Sequence, residues 1–265
     1  MKKIKQTLIG ALKESGRIIK TNINKSKRVH YKGEIDLLTV TDKQVEKRVT
    51  HLVKKSFPTH EVLAEEASEK KDTALCIPAE YKWIIDPLDG TTNFYHSFPH
   101  VCTSIAIERN CTVIMGGVYD PLRDELFFAE RGKGAFCNKK RLRVSGMTKL
   151  NTSLLATGFP YDRRKHADFY LSFLKAFMMH CHGIRRVGAA ALDFCYVACG
   201  RLDGFWEFKL HPWDVAAGAL IVEEAGGQVT DFGGKPFTIY GTETLATNGK
   251  IHREMIRVIK QLQKH

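Results

Sequence analysis

The spacing of hydrophobic residues divides the chain into two parts of different character. In the first segment, apolar residues recur at helical spacing, at Ile4, Leu8, Ala11, Leu12, Ile18 and Ile19. A second set with the same spacing comprises Val45, Val49, Leu52 and Val53. This set predicts a helix that begins after Asp42, and Asp42 is placed to cap it.

Strands are predicted after these two helices. The stretch 69–81 is polar and irregular, which is typical of a surface connection, and it leads into the apolar strand Trp83-Ile84-Ile85. The runs 101–107, 112–119 and 125–129 alternate or stay apolar, as antiparallel strands do, with Pro121 and Gly132 as turn residues.

After about Leu150 the pattern becomes an alternation of strands and helices. Strands are predicted at 154–157, 205–206 and 228–230, and helices at 166–179, at 189–198, around Asp214 and from Lys250 onward. This order predicts a layered α/β sandwich in one domain, residues 1–265. We expect an N-terminal α+β half, 1–149, and a C-terminal α/β half, 150–265, with the functional site between them.

Composition narrows the class of protein. A chain of 265 residues with 43% hydrophobic content can bury a sizeable core. It contains no apolar stretch of the ~18 residues that a membrane helix needs. Its first residues include lysines but no apolar signal segment, so we expect a cytoplasmic protein.

The seven cysteines are scattered and form no Cys-x-x-Cys pair. Cys195 and Cys199 share one apolar helix face, which favours core packing over metal binding. The run His180-Cys181-His182 has no matching distant pair, so a zinc site is not predicted there.

The net positive charge of the chain bears on which partners it could bind. The chain has 41 Lys and Arg against 29 Asp and Glu, a net charge of +12. Such a surface can attract RNA, an acidic protein or an anionic substrate. Solvated helix faces on a lysine-rich protein are the simpler explanation, because no basic-aromatic RNA-binding signature is present.

The most informative stretch is 83–94, where an apolar strand runs into two carboxylates, Asp86 and Asp89, a glycine and two threonines. The two aspartates and a backbone carbonyl between them are oxygen ligands of the kind that Mg²⁺ prefers. Gly90 lets backbone N–H groups approach a phosphate closely. An acidic turn that only caps a helix is the alternative.

Two other acidic residues complete this half-site. Glu65 follows a short apolar run, and Asp214 follows Pro212, which marks a helix start. Each also has a simpler explanation, since Glu65 can be a solvated loop residue and Asp214 an N-terminal cap.

Together these segments resemble the inositol monophosphatase family, lithium-sensitive and Mg²⁺-dependent phosphomonoesterases, and especially its bacterial branch. The resemblance extends over nearly the whole chain, in segments 36–42, 65–66, 86–94, 131–136, 186–193, 203–207, 213–214 and 224–227. Departures are small: Ala64, Ala67 and Leu88 replace residues common in the family, and no ligating side chain is lost. The resemblance implies an αβαβα sandwich of the inositol monophosphatase and fructose-1,6-bisphosphatase type.

The resemblance also implies two to three Mg²⁺ ions. One is expected on Glu65, Asp86 and the Leu88 carbonyl, and a second on Asp86, Asp89 and Asp214. A third, weaker ion near Glu65 is expected to help position the attacking water.

Roles for other residues follow from the same resemblance. Thr91 and Asp42 are expected to orient the water and accept its proton, while the N–H groups of Gly90 and Thr91 hold the phosphate. The hydroxyl groups of the substrate are expected to contact Asp89, Asp214, Glu207 and the turn formed by Gly188, Ala189 and Ala190; Glu65, Leu88, Gly90 and Thr91 complete the expected substrate contacts. Family members are commonly dimers, so a homodimer is expected.

Three functions remain open from the sequence. The first is hydrolysis of inositol monophosphate. The second is fructose-1,6-bisphosphatase or nucleotide 3′-phosphatase activity, for which Arg185, Arg186 or Lys209 are candidate contacts to a second phosphate. The third is a binding factor for RNA or a transcription complex, suggested by the basic charge.

Overall fold

The computed structural model describes residues 1–25, 29–31, 37–68 and 76–262. Asp36, and the part of the predicted surface connection at 69–75, lie outside these residues. Helix α1 (Lys2–Asn22) buries Leu8, Leu12 and Ile19 on one face. A two-stranded antiparallel ribbon follows, formed by β1 (Val29–Tyr31) and β2 (Leu37–Thr39).

Helix α2 (Val40–Ser56) begins earlier than predicted, so that Asp42 lies in its first turn. The reason is a capping box, in which the Thr39 hydroxyl accepts from the Asp42 N–H and the Asp42 carboxylate accepts from the Thr39 N–H. The capping interpretation of Asp42 is therefore confirmed, with Thr39 as the N-cap.

A seven-stranded sheet follows, in the order β3-β4-β5-β6-β7-β8-β9. Only the pair β3–β4 is parallel, and the remaining neighbours are antiparallel. The strands are β3 (Glu61–Ala64), β4 (Lys82–Asp89), β5 (Cys102–Arg109), β6 (Thr112–Asp120), β7 (Glu125–Glu130), β8 (Ala135–Cys137) and β9 (Lys140–Arg141). Two short helices, α3 (Glu65–Ser68) and α4 (Thr91–Tyr95), follow β3 and β4.

The second sheet has five strands in the order β11-β10-β12-β14-β13. Strand β10 is parallel to both neighbours, and β14 is antiparallel to both of its own. The strands are β10 (Leu154–Thr157), β11 (Gly183–Arg185), β12 (Gly204–Phe208), β13 (Gln228–Thr230) and β14 (Glu243–Thr247). The helices of this region are α5 (Ala167–Met178), α6 (Ala190–Ala198), α7 (Pro212–Glu224) and α8 (His252–Leu262), after a 3₁₀ turn at Leu150–Thr152.

Five layers result from these contacts. Helices α1 and α2 pack on the outer face of the seven-stranded sheet, while α6 and α7 contact both sheets. Helices α5 and α8 pack together, with their apolar residues in a cluster that includes Trp206 and Leu245 of the five-stranded sheet. The predicted αβαβα sandwich is thus confirmed. The division into halves at residue 149 stays a prediction, although each large sheet lies wholly on one side of it in sequence.

Helix α7 forms the centre of the molecule. Its apolar residues are buried around much of the helix, including Val215, Ala217, Leu220 and Ile221. The close approach to the seven-stranded sheet depends on Gly116 in β6, where an added Cβ would lie 2.8 Å from the Ala217 Cα. Since α7 lies between the sheets, the start of this helix faces the junction where both sheets contribute residues.

Some elements were not predicted from the sequence. Strands β3, β8, β9, β11 and β14 are short, from two to five residues, and too brief to show a two-residue period. A disulfide joins Cys76 to Cys111 across 35 residues, which scattered cysteines do not reveal. Cys195 lies in the central core and Cys199 packs against it, as predicted. Across the described ranges, no helix is long and apolar enough to cross a membrane.

Candidate active site

A cleft of about 310 Å³ opens where residues from both sheets meet. Most of the predicted site residues line it: Glu65, Asp86, Leu88, Asp89, Gly90, Thr91, Gly188, Ala189, Ala190, Glu207 and Asp214. Asp42 is not part of the wall; it is fully buried behind Thr91. The chain thus brings together in one cleft residues up to about 150 positions apart in sequence.

The end of strand β4 supplies the cleft's main acidic groups. Pairing of β4 with β5 shifts register between Asp86 and Asp89, on either side of Pro87, which has no N–H for the ladder. The Asp86 carboxylate accepts from the Leu88 N–H at 2.9 Å. The end of β4 is therefore bent and held by a local hydrogen bond between the Asp86 side chain and the Leu88 backbone. Both aspartates lie at the cleft while their backbone stays in the sheet.

Burial and mutual repulsion make this cluster electrostatically costly. The pKa of Asp86 is well above its ordinary value because of burial and the negative charges of Glu65, Asp89 and Asp214. Burial also raises the pKa of Asp89 to about 6, against the opposing effect of hydrogen bonds that include one from the Ala191 N–H at 2.8 Å. Within the described residues, neither Asp86 nor Asp89 forms an ion pair with Lys or Arg.

Asp42, Thr39 and Thr91 form a connected hydrogen-bond network. The Thr91 hydroxyl lies 2.9 Å from Asp42 Oδ1 and 3.0 Å from the Leu88 carbonyl oxygen. The other Asp42 oxygen accepts from both the N–H and the hydroxyl of Thr39. Burial raises the pKa of Asp42, and these hydrogen bonds oppose that rise.

Asp214 lies in the first turn of α7, as predicted, and Pro212 is the first residue of that helix. Its carboxylate accepts from the His211 N–H at 2.7 Å, so it also caps the helix. The Ser104 hydroxyl of β5 donates to the Trp213 carbonyl at 3.2 Å and ties the helix start to the seven-stranded sheet. Asp214 thus caps helix α7, as the simpler explanation predicted, and it also lines the cleft.

The turn before α6 lies against the β4 end. The Asn93 side-chain amide donates to the carbonyls of Val187 at 2.9 Å, Gly188 at 3.3 Å and His100 at 2.9 Å. Gly188 has φ +87°, a conformation that favours glycine. Sequence analysis did not single out Asn93, although it belongs to the 83–94 stretch.

Two further acids surround the back of the cleft. Glu207 lines it, and burial with repulsion from Asp193 raises the Glu207 pKa well above its ordinary value. Asp193 is fully buried, its Oδ1 has no hydrogen-bond partner within the described residues, and its pKa is also well raised by burial. Gly158 leaves room for Glu207, since an added Cβ would lie 2.1 Å from its carboxylate oxygens. Neither Asp193 nor Gly158 was predicted, because no local motif marks such contacts.

The donor chemistry fits a hard divalent cation. Carboxylates of Asp86, Asp89, Asp214 and Glu65 share one cleft with the Leu88 backbone, and oxygen ligands of this kind suit Mg²⁺. Over the ranges described, however, no group of three or more His, Cys, Asp or Glu side chains is arranged to hold an ion as it stands. Asp86, Asp89 and Asp214 each direct one oxygen to a backbone N–H. The individual ligand assignments therefore stay predictions.

A family model described as the inositol monophosphatase family matches residues 1–264, and the chain belongs to that family. The resemblance inferred from the sequence is confirmed.

Three relatives illustrate the similarity. The Nus factor SuhB of Vibrio cholerae is 40% identical over 261 residues, covering 97% of this chain and 93% of the relative. The crystal structure of extragenic suppressor protein suhB from Bartonella henselae is 38% identical with a TM-score of 0.90, covering 97% of this chain and 98% of that one. The inositol monophosphatase from Anabaena is 39% identical with a TM-score of 0.83, covering 95% and 93% respectively.

Proposed function

We propose that this protein is a Mg²⁺-dependent phosphomonoesterase that hydrolyses inositol monophosphate to inositol and phosphate. One observation carries the proposal: Asp86 lies in a cleft with Glu65, Asp89 and Asp214, and its burial, followed by the charges of these three acids, raises its pKa well above the ordinary value. Several buried carboxylates without a compensating positive charge destabilise the folded protein, because each of them costs free energy. A bound cation supplies that charge.

The expected ligands are Glu65, Asp86 and the Leu88 carbonyl for one ion, and Asp86, Asp89 and Asp214 for a second, with a third near Glu65. When bound, Mg²⁺ supplies Lewis-acid stabilisation of phosphoryl charge and lowers the pKa of water. The protein's own contribution is to keep these carboxylates oriented through backbone hydrogen bonds from Leu88, Ala191 and His211.

Proton transfer is assigned to the pair Thr91 and Asp42. The Thr91 hydroxyl lies at the cleft wall, and the buried Asp42 carboxylate accepts its hydrogen bond at 2.9 Å. In this arrangement the hydroxyl orients the attacking water, and the carboxylate receives the proton that passes through the hydroxyl. Asp42 is suited to this role because its burial raises its pKa.

Substrate contacts are assigned to the surrounding walls. The N–H groups of Gly90 and Thr91 hold phosphate oxygens. Asp89, Asp214, Glu207 and the turn formed by Gly188, Ala189 and Ala190 contact hydroxyl groups of the polyol. The acidic wall favours a neutral polyol hydroxyl near these residues over an anionic group.

The test is phosphate release with Mg²⁺ from inositol 1-phosphate, fructose 1,6-bisphosphate, a 3′-phosphonucleotide and glycerol 2-phosphate. We expect preference for inositol 1-phosphate in the natural protein and no turnover in Asp89→Asn or Asp214→Asn, while circular dichroism shows both variants folded. Near-normal activity of either variant overturns the site assignment. Equal or faster release from the bisphosphate or the nucleotide changes the substrate and keeps the chemistry.

A second candidate function is association with a transcription complex. The observation that favours it is the name of relatives such as the Nus factor SuhB of Vibrio cholerae, together with this chain's net charge of +12. Binding to RNA that weakens with salt and persists in Asp214→Asn would support it. Absence of binding at physiological salt would count against an RNA-based association.

Three further properties are proposed. They are inhibition by Li⁺ and a homodimeric state, on the family resemblance, together with a cytoplasmic location, which is the prediction from the sequence. Light scattering of the purified protein tests the dimer, phosphate release in a Li⁺ titration tests the inhibition, and cell fractionation tests the location.

A further inference from the structure

Three backbone segments meet beside Gly90, the residue between β4 and α4. Gly90 has φ +90° and is the N-cap of α4. A Cβ added to it would lie 2.9 Å from the carbonyl oxygen of His100, just before β5, and 3.4 Å from that of Gly188, just before α6. We call the backbone of Gly90 and Thr91 the phosphate wall, and the turn that contains Gly188 the polyol wall. The two proposed walls therefore touch at Gly90.

One side-chain amide bonds the same two carbonyl oxygens. Asn93 Nδ2 lies 2.9 Å from the His100 oxygen, 3.3 Å from the Gly188 oxygen and 2.9 Å from the oxygen of Val187. All three neighbours are acceptors, so the NH₂ group of the amide faces them, and its two N–H hydrogens are engaged within the protein. Asn93 thus holds the backbone of both neighbouring segments against Gly90.

The backbone of Asn93 is itself tied to the phosphate wall. Asn93 lies in the short helix α4, where the Phe94 N–H donates to the Gly90 carbonyl at 2.9 Å. The Asn93 carbonyl accepts from the Phe98 N–H at 2.8 Å, which fixes the loop that leads to His100. Its amide therefore cannot move far without moving Gly90. Through this side chain, the phosphate wall is joined to a turn 94 residues later in the chain.

Another hydrogen bond crosses the same junction, from the Ala191 N–H to Asp89 Oδ2 at 2.8 Å. Asp89 is charged and is expected to bind Mg²⁺, so this contact cannot be removed without changing the proposed metal site. Asn93 is neutral and has no expected role as a metal ligand. A substitution at Asn93 therefore changes how the two walls are held together and leaves the charge of the cleft as it is.

We infer that Asn93 is a positioning residue, which sets the distance between the phosphate wall and the polyol wall; this role rests on the proposed phosphatase function. Asn93 acts on the substrate only through the backbone of Gly90 on one side and of Gly188 on the other. Without its amide, the carbonyls lose their donor and the turn is no longer held against Gly90. A ligand that contacts both walls then binds less tightly, whereas a ligand of the phosphate wall alone is unaffected.

The experiment compares two ligands in the natural protein and in Asn93→Leu, whose side chain is similar in size and has no N–H donor. Inositol 1-phosphate contacts both walls, and inorganic phosphate contacts the phosphate wall. Rates of inositol release with Mg²⁺ give KM for the first and the competitive inhibition constant Ki for the second. We expect Asn93→Leu to raise KM about 10-fold, as lost hydrogen bonds to the polyol imply, and to leave Ki within about twofold.

Two further variants separate this role from a structural one. Asn151→Leu makes the same change at an exposed position of the 3₁₀ turn, outside the cleft, and should leave KM and Ki within about twofold of their natural values. Asn93→Ala removes the same donors with less steric change, and it decides the question if Asn93→Leu does not fold. Circular dichroism verifies the fold of each variant. A general loss of stability would not separate KM from Ki, because both ligands need the folded cleft.

The outcomes are distinct from those of the proposed function. An unchanged KM, equal changes in KM and Ki, or a lower kcat with both constants unchanged overturns the positioning role while phosphatase activity stands. If the natural protein releases no inositol, the proposed function fails, and calorimetric titration of both ligands with Mg²⁺ decides the role. Weakening of inositol 1-phosphate binding by about 10-fold relative to phosphate in Asn93→Leu then supports it. An unchanged ratio, or no binding of inositol 1-phosphate to the natural protein, overturns it.

Discussion

The Thr91 hydroxyl donates to the Asp42 carboxylate across 2.9 Å and so joins the first turn of α4 to the first turn of α2. The same carboxylate completes the capping box of α2 through Thr39. One buried acid therefore serves helix stability and the proposed chemistry together. Substitutions at Thr91 test the proposed chemistry without removing the helix cap, because Thr91 takes no part in the capping box.

Thr91→Ala should lower kcat by about 100-fold or more, since removal of a group that relays a proton typically costs that much. Thr91→Ser keeps the hydroxyl and should retain most of the activity. Steady-state kinetics with inositol 1-phosphate and Mg²⁺ measures both. The unfolding midpoint of Thr91→Ala should stay close to that of the natural protein. A variant without the hydroxyl that turns over normally would remove Thr91 from the mechanism.

Mg²⁺ should raise the melting temperature of the natural protein by several degrees, because a ligand that binds only the folded state stabilises it by mass action. Asp214→Asn should show a much smaller rise, since it lacks one carboxylate charge of the cleft yet keeps an acceptor for the His211 N–H. The matched control is Asp168→Asn in α5, outside the cleft, which should respond as the natural protein does. Equal shifts in all three proteins would contradict the metal assignment. Thermal unfolding followed by fluorescence is sufficient.

The buried ion pair of Lys82 and Glu108 joins β4 to β5, and the Tyr240 hydroxyl links this pair to the C-terminal region. Lys82 Nζ lies 2.9 Å from the Glu108 carboxylate, which also accepts from the Tyr240 hydroxyl at 2.9 Å. Lys82→Met should lower the free energy of unfolding by about 3–5 kcal/mol, because Glu108 is then buried without its partner. Tyr240→Phe should cost about 1–2 kcal/mol.

Urea titrations measure both effects. The double variant Lys82→Met with Glu108→Leu should be less destabilised than Lys82→Met alone, since it leaves no unpaired charge. Additive losses in the double variant would show that the two groups do not depend on each other.

The Cys76–Cys111 disulfide closes a loop with a sequence separation of 35 residues. On the chain-entropy account, such a closure contributes about 4 kcal/mol by restricting the unfolded chain. Replacing both cysteines with serine should lower the free energy of unfolding by up to that amount. Urea unfolding of oxidised protein, with and without dithiothreitol, measures it.

The free thiol Cys181 provides the control, since Cys181→Ser leaves the disulfide intact. Dithiothreitol should shift the unfolding midpoint of Cys181→Ser as it shifts that of the natural protein. A midpoint that dithiothreitol leaves unchanged in the natural protein would mean that the bond adds nothing to stability.

His252 should make stability depend on pH. Its ring nitrogens lie 2.9 Å from the hydroxyls of Thr230 and Thr247, and burial lowers its pKa from 6.5 to about 4. The folded state therefore favours the neutral ring. The associated stability is present above pH 6.5 and is lost as pH falls towards 4, by about 3 kcal/mol in all.

Unfolding free energies measured between pH 7 and pH 4 check this expectation. Burial also lowers the pKa of His100 to about 4, so His252→Gln should remove only part of the slope. An unchanged slope in His252→Gln would show that His252 does not titrate on unfolding.

Local patterns were sufficient for much of the architecture and for the main acidic stretch. The amphipathic helix α1 was predictable because its apolar residues recur at helical spacing. Strand β4 was predictable because its apolar run and its terminal aspartates are contiguous in the chain. The sequence also indicated Glu65 and Asp214 as members of the site. It could not place the short strands β8, β9 and β11, which form only when an adjacent strand provides hydrogen bonds.

The sequence by itself determined the layered fold, the family and the residue types of the acidic cleft, because these depend on periodicity and on motifs that are contiguous in the chain. Only the tertiary structure decided that Asp42 lies behind Thr91 and that Lys209 pairs with Asp162. It alone joined Cys76 to Cys111. The physical reason is that side-chain charges and hydrogen bonds act over a few ångströms in space, whereas the chain brings those partners together from 35 or more residues away in sequence.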